Sequence, residues 1–155
     1  MREIVGGLES PEVIFERRFA SGQPMLLVQR GRTDYRVWAP RHGQYVVSAD
    51  GRVVSAQIPR SGSWWWTKLL FAQVLPLAAS LQGLECLHAG CVTLDGRAYA
   101  LAAASGTGKS SVALHLVAQG ALFVSDDILA AEVRDHGVTV HPGPRMAAAD
   151  PTAFT

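Results

Sequence analysis

The sequence predicts an α/β fold in its second half, preceded by a small β-rich lobe. In the second half, the continuously apolar residues 98–102, typical of a strand covered on both faces, run directly into a glycine-rich loop. The apolar residues after that loop, among them Val112 and Leu116, recur at helical spacing. A second short apolar strand then leads to Asp126 and Asp127. The order strand, loop, helix, strand is typical of α/β proteins.

The first sixty residues are predicted to form the β-rich lobe. Short segments rich in β-branched and aromatic residues alternate there with glycine and proline turns. The segments YVVSA and RVVSAQI flank Asp50 and Gly51, which predicts a hairpin with a two-residue loop. We therefore divide the chain into an N-terminal lobe over residues 1–60 and an α/β domain over residues 61–155.

The composition argues against several classes of protein. The net charge is +1 and no run of Lys or Arg is present, so we expect no nucleic-acid partner. Residues 69–81 are apolar but shorter than the roughly 20 residues of a membrane span, so we expect a buried helix kinked at Pro76 and no membrane partner. The start of the chain lacks the apolar region of a signal peptide, which favours the cytoplasm. Cys86 and Cys91 lack a second cysteine pair, and we expect small core residues.

The glycine-rich loop nearly matches the phosphate-binding pattern G-x-x-x-x-G-K-[ST], with Ala103 where the first glycine belongs. Gly106 and Gly108 allow backbone conformations in which N–H groups point inward at phosphate oxygens. Lys109 is predicted to reach the β- and γ-phosphates of ATP, and the Ser110 hydroxyl to bind Mg²⁺. The predicted nucleotide-binding residues are Ala103, Ala104, Ser105, Gly106, Thr107, Gly108, Lys109, Ser110 and Ser111.

The acid pair at the end of the second strand is predicted to carry two different roles. Neighbouring residues on a strand point to opposite sides, so Asp126 and Asp127 are not expected to act on the same group. One carboxylate is suited to Mg²⁺ and the other to accepting the proton of an attacking hydroxyl. His88, considered alone, is more typical of a hydrogen-bonded structural histidine.

Taken together, residues 87–132 resemble the catalytic domain of HPr kinase/phosphorylase, a group of bacterial serine kinases. The resemblance implies a P-loop kinase core of the HPr kinase/phosphoenolpyruvate carboxykinase type. It implies that Asp127 accepts the proton of the substrate serine and that His88 and Lys109 lie in the active site. It also implies that Ser110 lies on the metal, while Asp126 supports the metal or orients Lys109.

Several features depart from the family pattern. Ala103 and Ala104 replace the usual Gly-Asp, and Ala89 separates His88 from Gly90. The family's later metal-binding glutamate is not visible in residues 140–155, so we expect the catalytic domain to be incomplete at its C-terminus.

The expected function is an ATP- and Mg²⁺-dependent serine kinase. Its acceptor is the HPr protein or a peptide, as for the short kinases found with lasso-peptide genes, and a homo-oligomer is compatible with the sequence. Two alternatives stay open, a nucleotide-binding regulatory module without transfer activity and a P-loop ATPase. A GTPase ranks last because no Asn-Lys-x-Asp motif is present.

Overall fold

The computed structural model describes residues 11–40, 42–59 and 64–144. The chain divides into two compact units, Met1–Gln82 and Gly83–Thr155. Of the described residues, 47% are in strands and 21% in helices, and the strands form three antiparallel sheets. The predicted α/β P-loop core is therefore wrong.

The first unit contains a five-stranded antiparallel meander in which each strand pairs with the next. Its strands are β1 (Glu12–Arg18), β2 (Pro24–Arg30), β3 (Asp34–Ala39), β4 (Gly43–Ser48) and β5 (Val54–Gln57). The hairpin predicted around Asp50 is confirmed, because β4 and β5 pair across it. Its predicted two-residue loop is wrong. The backbone N–H of Ser48 donates to the Val53 carbonyl at 2.9 Å, which leaves a loop of four residues. The wider loop is stabilised by the Asp50 carboxylate, which accepts from the Ser48 hydroxyl and from the Arg52 N–H.

A helix with an irregular centre follows the meander. It consists of α1 (Trp65–Leu69), a π-helical turn (Leu70–Val74) and α2 (Leu75–Leu81). The Leu75 N–H donates to the carbonyl of Leu70, five residues earlier. Pro76 accounts for this wide turn, because its ring crowds the carbonyl four residues earlier and it has no N–H to donate. Within the described residues, no helix is long and apolar enough to cross a membrane.

The helix packs on one face of the meander and closes the core of the first unit. Alternate residues of β3 and β4 point toward it, as expected of a sheet with one buried face. The buried residues are Val37, Ala39, Tyr45, Val47, Leu69, Val74 and Ala78. The Tyr45 hydroxyl donates to the Trp66 carbonyl at 2.8 Å, so this buried polar group is satisfied. The domain boundary predicted after residue 60 places this helix in the second domain, whereas the two compact units divide after Gln82.

Gly51 offers a test of this packing. Its φ is +70°, and a Cβ added there would overlap the carbonyl oxygen of Ala78 on α2. We expect Gly51→Ala to lower the free energy of unfolding by about 2 kcal/mol or more, because the backbone strain adds to the overlap. Chemical denaturation measures this. Gly22→Ala is the control, since Gly22 has a φ of +80° with no atom within 4 Å of the added Cβ. Equal losses in the two variants would contradict the packing argument.

The second unit holds two three-stranded antiparallel sheets and one described helix. Its elements are β6 (Glu85–Leu87), β7 (Ala89–Leu94), β8 (Arg97–Ala102), α3 (Lys109–Ala118), β9 (Leu122–Ser125), β10 (Leu129–Arg134) and β11 (Gly137–His141). The sheet orders are β11-β10-β6 and β8-β7-β9. The predicted hairpin at Asp95 and Gly96 is confirmed with its two-residue loop, in which both residues have positive φ.

The strand β7 explains why the α/β prediction fails. The predicted order strand, loop, helix, strand is present as β8, the loop, α3 and β9. However, β8 and β9 both pair antiparallel with β7, which lies between them. The prediction that residues 98–102 are covered on both faces is also wrong, since β8 is an edge strand with five exposed residues.

Antiparallel pairing with the same neighbour gives β8 and β9 the same direction. The C-terminal ends of these two strands therefore lie at the same edge of the sheet, on either side of β7. The helix α3 packs against β7, where Ala113 and Val92 are buried together. This topology brings the glycine-rich loop and the acid pair to one edge.

Neither of the two cysteines takes part in a disulfide. Cys91 is buried in β7, and Cys86 is half-buried in β6. Burial raises the pKa of the Cys91 thiol, which favours the neutral form. Cys91 packs with Ala89, Val124 and Leu129 as a small core residue.

Candidate phosphate-binding site

The glycine-rich loop connects β8 to the first turn of α3. Gly106 and Gly108 have φ values of +81° and +91°, a left-handed conformation that favours glycine. The Thr107 hydroxyl donates to the Ala104 carbonyl at 2.7 Å, and this hydrogen bond stabilises the loop. Gly108 is the N-cap of α3, whose first N–H groups have no partners within the helix. Such a helix start favours negatively charged ligands.

Lys109 folds back over this loop. Its Nζ donates to the carbonyl oxygens of Ala103 at 2.8 Å and Ala104 at 3.2 Å. A lysine ammonium has three N–H donors, of which these contacts take two. The positive charge is therefore held at the loop with donor capacity for an anion.

Ser110 and Asp126 form the best-defined polar contact of the site. Ser110 is the second residue of α3, and Asp126 directly follows β9. The Ser110 hydroxyl lies 2.9 Å from each carboxylate oxygen of Asp126. The sequence separates these residues widely, and the shared direction of β8 and β9 brings them together. A hydroxyl and a carboxylate are the hard oxygen ligands that Mg²⁺ prefers. Among the described residues, no group of three or more His, Cys, Asp or Glu side chains is arranged to hold a metal.

Asp127 and His88 form a second, looser pair. The Nδ1 atom of His88 lies 3.8 Å from Oδ1 of Asp127, and their side chains are 52% and 63% exposed. His88 stands between β6 and β7, and Asp127 follows β9 by two residues.

The backbone at Asp127 is unusual. Its φ is +69°, and the N–H of Ile128 donates to the Asp126 carbonyl across it at 2.8 Å. This three-residue turn is rare and strained for a non-glycine residue, and such strain tends to cluster at functional sites. Both acids lie beyond β9, so the alternation along a strand that we used to separate their roles does not apply. The turn, rather than a strand, sets their directions.

The structure therefore brings the predicted residues together in three sets of contacts. Lys109 contacts the loop at Ala103 and Ala104, and Ser110 contacts Asp126. His88 lies beside Asp127. Ser105 and Thr107 are exposed on the loop, and Ser111 is half-buried in the first turn of α3.

Ser125 is a residue that the sequence analysis missed. It is fully buried, and its Oγ has no hydrogen-bond partner in the described part of the chain. Gly143 lies close to Ser125, because a Cβ added at Gly143 would be 3.1 Å from the Ser125 Cβ. The N–H of Gly143 also donates to the Val124 carbonyl at 2.9 Å. The chain after β11 therefore returns to the end of β9, next to Asp126. The sequence feature that could have indicated Ser125 is a polar residue directly after the apolar segment ALFV.

The other ion pairs of the second unit lie apart from this group of residues. Arg134 donates to Glu132 at 2.7 Å, and this hydrogen bond lowers the pKa of the Glu132 carboxyl. Both residues are on β10, where Arg134 is exposed and Glu132 is half-buried, and ion pairs that water reaches contribute little to stability.

Comparisons of the chain with protein-family models, with curated proteins and with solved structures found no match.

Proposed function

We propose that this chain is an ATP- and Mg²⁺-dependent serine kinase, similar in activity to the HPr kinases, that acts on a protein or peptide in the cytoplasm. The observation that carries the proposal is the contact of Ser110 with both carboxylate oxygens of Asp126. In P-loop enzymes the hydroxyl after the conserved lysine and an acid from another segment hold Mg²⁺ beside the phosphates. A Gly-Lys-Ser sequence that occurs by chance is not expected to contact an acid from another segment in this way.

The loop supports the binding of a nucleotide. The positive φ values of Gly106 and Gly108 are compatible with loop N–H groups that face a phosphate, and the start of α3 and the Lys109 ammonium add positive potential next to this loop. A triphosphate carries several negative charges, and its oxygens accept hydrogen bonds from all three sources.

The donor set fits Mg²⁺. This ion commonly takes one or two carboxylates, and substrate phosphates and water complete its coordination. Ser110 and Asp126 would hold it, and when bound it neutralises charge on the phosphates.

Asp127 is suited to the proton-transfer step. The acceptor serine oxygen forms a bond to the γ-phosphorus, the bond from that phosphorus to the bridging oxygen breaks, and ADP leaves. The serine proton moves to a carboxylate oxygen of Asp127. The Nδ1 atom of His88 lies 3.8 Å from this carboxylate.

An ATPase is the second candidate, and the exposure of Asp127 favours it. A carboxylate that is 63% exposed is open to water as well as to a serine hydroxyl. Water would then replace the acceptor, and phosphate would be released.

Transfer of labelled γ-phosphate from ATP separates these functions. We would offer the HPr protein and a set of serine-containing peptides, and detect phosphoserine by mass spectrometry. The same acceptors with serine replaced by alanine are the control. Phosphoserine supports the kinase, whereas free phosphate without labelled acceptor supports the ATPase. Binding of ATP with neither product would contradict both.

The role of Asp126 is tested by the Mg²⁺ requirement of nucleotide binding. We expect Asp126→Asn to raise the Mg²⁺ concentration needed for half-maximal ATP binding roughly tenfold or more, because an amide oxygen is a weaker ligand than a carboxylate. Asp50→Asn is the matched control, since Asp50 also accepts from a serine hydroxyl but lies in the first unit. Unchanged Mg²⁺ dependence in Asp126→Asn would contradict the assignment.

A further inference from the structure

The strand β8 leaves one edge open. It pairs with β7 on one side and, among the described residues, no strand pairs with it on the other. Five of its six residues are exposed, including Tyr99. Residues 98–102 contain no charge and no proline. Proteins usually protect open edges with charges, proline or bulges, so an apolar edge of this kind is suited to pairing with another strand.

The sequence of β8 is complementary to itself. When two copies pair antiparallel about a twofold axis at Ala100, Ala98 lies opposite Ala102 and Tyr99 lies opposite Leu101. Alanine then meets alanine on one face, and a large apolar residue meets another on the opposite face. Such pairs contribute favourably across antiparallel strands, and no like charges are brought together.

The acceptor of the kinase reaction is not suited to this edge. A strand added beyond β8 would lie three strand spacings, roughly 14 Å, from β9. Asp127 follows β9, and a base must lie within hydrogen-bond distance of the hydroxyl that it deprotonates. A serine peptide on β8 would therefore be too far from the proposed base.

The pairing would bring an arginine to the phosphate loop. With the axis at Ala100, Arg97 of the second copy lies opposite Ala103, the first residue of the loop. The phosphates of a bound nucleotide would be negatively charged, so an arginine at this position would be attracted to them.

Arg97 also lies on the face of the sheet that an arginine acting at the phosphate loop requires. Tyr99 pairs with Val92 and Leu101 pairs with Gly90, and both Leu101 and Val92 pack with Ala113 of α3. Alternation along the strand places Arg97 on the same face as Tyr99 and Leu101. This is the face of the sheet on which α3 packs, and the phosphate-binding turn of α3 follows the loop.

We propose that two copies of this chain pair through β8, and that Arg97 of each copy acts at the phosphate loop of the other. The second half of this inference rests on the proposed nucleotide-binding function, whereas the first half does not. Each site would then be complete only in the dimer.

The pairing is tested by the mass of the full chain in solution, measured by sedimentation over a range of protein concentrations. We expect a dimer for the wild type and a monomer for Ala100→Lys, which sets two like charges opposite each other at the axis. Val138→Lys, the same introduced charge on the exposed strand β11, should remain a dimer. A monomeric wild type, or a dimer that persists in Ala100→Lys, would overturn the proposal. Circular dichroism checks that each variant is folded.

The role of Arg97 is tested by ATP binding in mixed dimers. We expect Arg97→Ala to remain dimeric and to bind ATP roughly tenfold more weakly. Mixing it with Lys109→Ala should restore tight binding, because one site then combines an intact loop with Arg97 of the second copy. Failure to restore binding in confirmed mixed dimers would overturn the action between copies. Absence of ATP binding in the wild type would overturn the nucleotide function and the role of Arg97, but the sedimentation result would stand independently.

Discussion

Asp127→Asn is expected to keep ATP affinity within a few-fold of the wild type while phosphoryl transfer falls by roughly 10²–10⁴-fold. A serine hydroxyl is a poor nucleophile at neutral pH, and an amide cannot take its proton. In the proposed mechanism the carboxylate is needed only when the acceptor attacks, whereas the loop, Lys109 and Ser110 are needed as soon as the nucleotide binds. An effect on the transfer rate without an effect on ATP binding is typical of an interaction used chiefly in the transition state.

The substitution is conservative for the backbone as well. Asp127 has a φ of +69°, and asparagine tolerates this left-handed conformation as aspartate does. Asp95 provides a closely matched control, because its φ is +50° and it lies in the turn between β7 and β8. Asp95→Asn makes the same chemical change at another aspartate with positive φ and should leave transfer unchanged.

Single-turnover transfer to the identified acceptor, with ATP affinity measured by calorimetry, distinguishes the outcomes. A normal transfer rate in Asp127→Asn would show that another group accepts the proton, and the role implied by the kinase resemblance would be wrong at this residue. Loss of ATP binding in the same variant would also contradict the assignment, because the defect would then precede the chemical step.

Local features of the fold could be predicted from the sequence. The hairpin at Asp95 and Gly96 follows from residues that tolerate positive φ, and the structure has both of them in that conformation. The helix after the glycine-rich loop follows from the spacing of its apolar residues, and α3 ends at Ala118, close to Gly120.

The pairing of strands could not be predicted in the same way. The order of elements along the chain is the same whether β8 and β9 are neighbours or have β7 between them. The hairpin signal between β7 and β8 already indicated antiparallel pairing, but the apolar run over residues 98–102 favoured a central strand. Small apolar residues are compatible with an edge strand as well as with a strand covered on both faces. Composition alone therefore does not distinguish an edge strand from a central strand.

The site shows the same division between local and long-range information. The motif indicated Lys109 and Ser110, and the acid pair was apparent after the second strand. The contact between Ser110 and Asp126 depends on two strands sharing a direction, which only the topology supplies. The turn at Asp127 was missed because a three-residue turn of this kind is rare for a non-glycine residue, and no glycine marked the position.

Lys109→Ala is the variant with the largest expected effect on nucleotide binding. The side chain carries the one positive charge that the described structure holds on the loop by hydrogen bonds, at Ala103 and Ala104. Removing a charge-assisted contact to phosphate costs roughly 1.5–3 kcal/mol, which corresponds to about 10–100-fold weaker ATP binding. Calorimetry with ATP and Mg²⁺ measures this.

Two further variants separate charge from loop structure. Lys109→Gln keeps an N–H donor for the loop carbonyls but loses the charge, so its ATP affinity should fall nearly as far as that of Lys109→Ala. Lys68→Ala removes the chain's other lysine, which lies over the ring of Trp65 in the first unit, and should bind ATP normally. Wild-type affinity in Lys109→Ala would contradict the phosphate-binding loop itself. Wild-type affinity in Lys109→Gln alone would instead show that the lysine acts by shaping the loop, because the donor and not the charge would then be the property that binding requires.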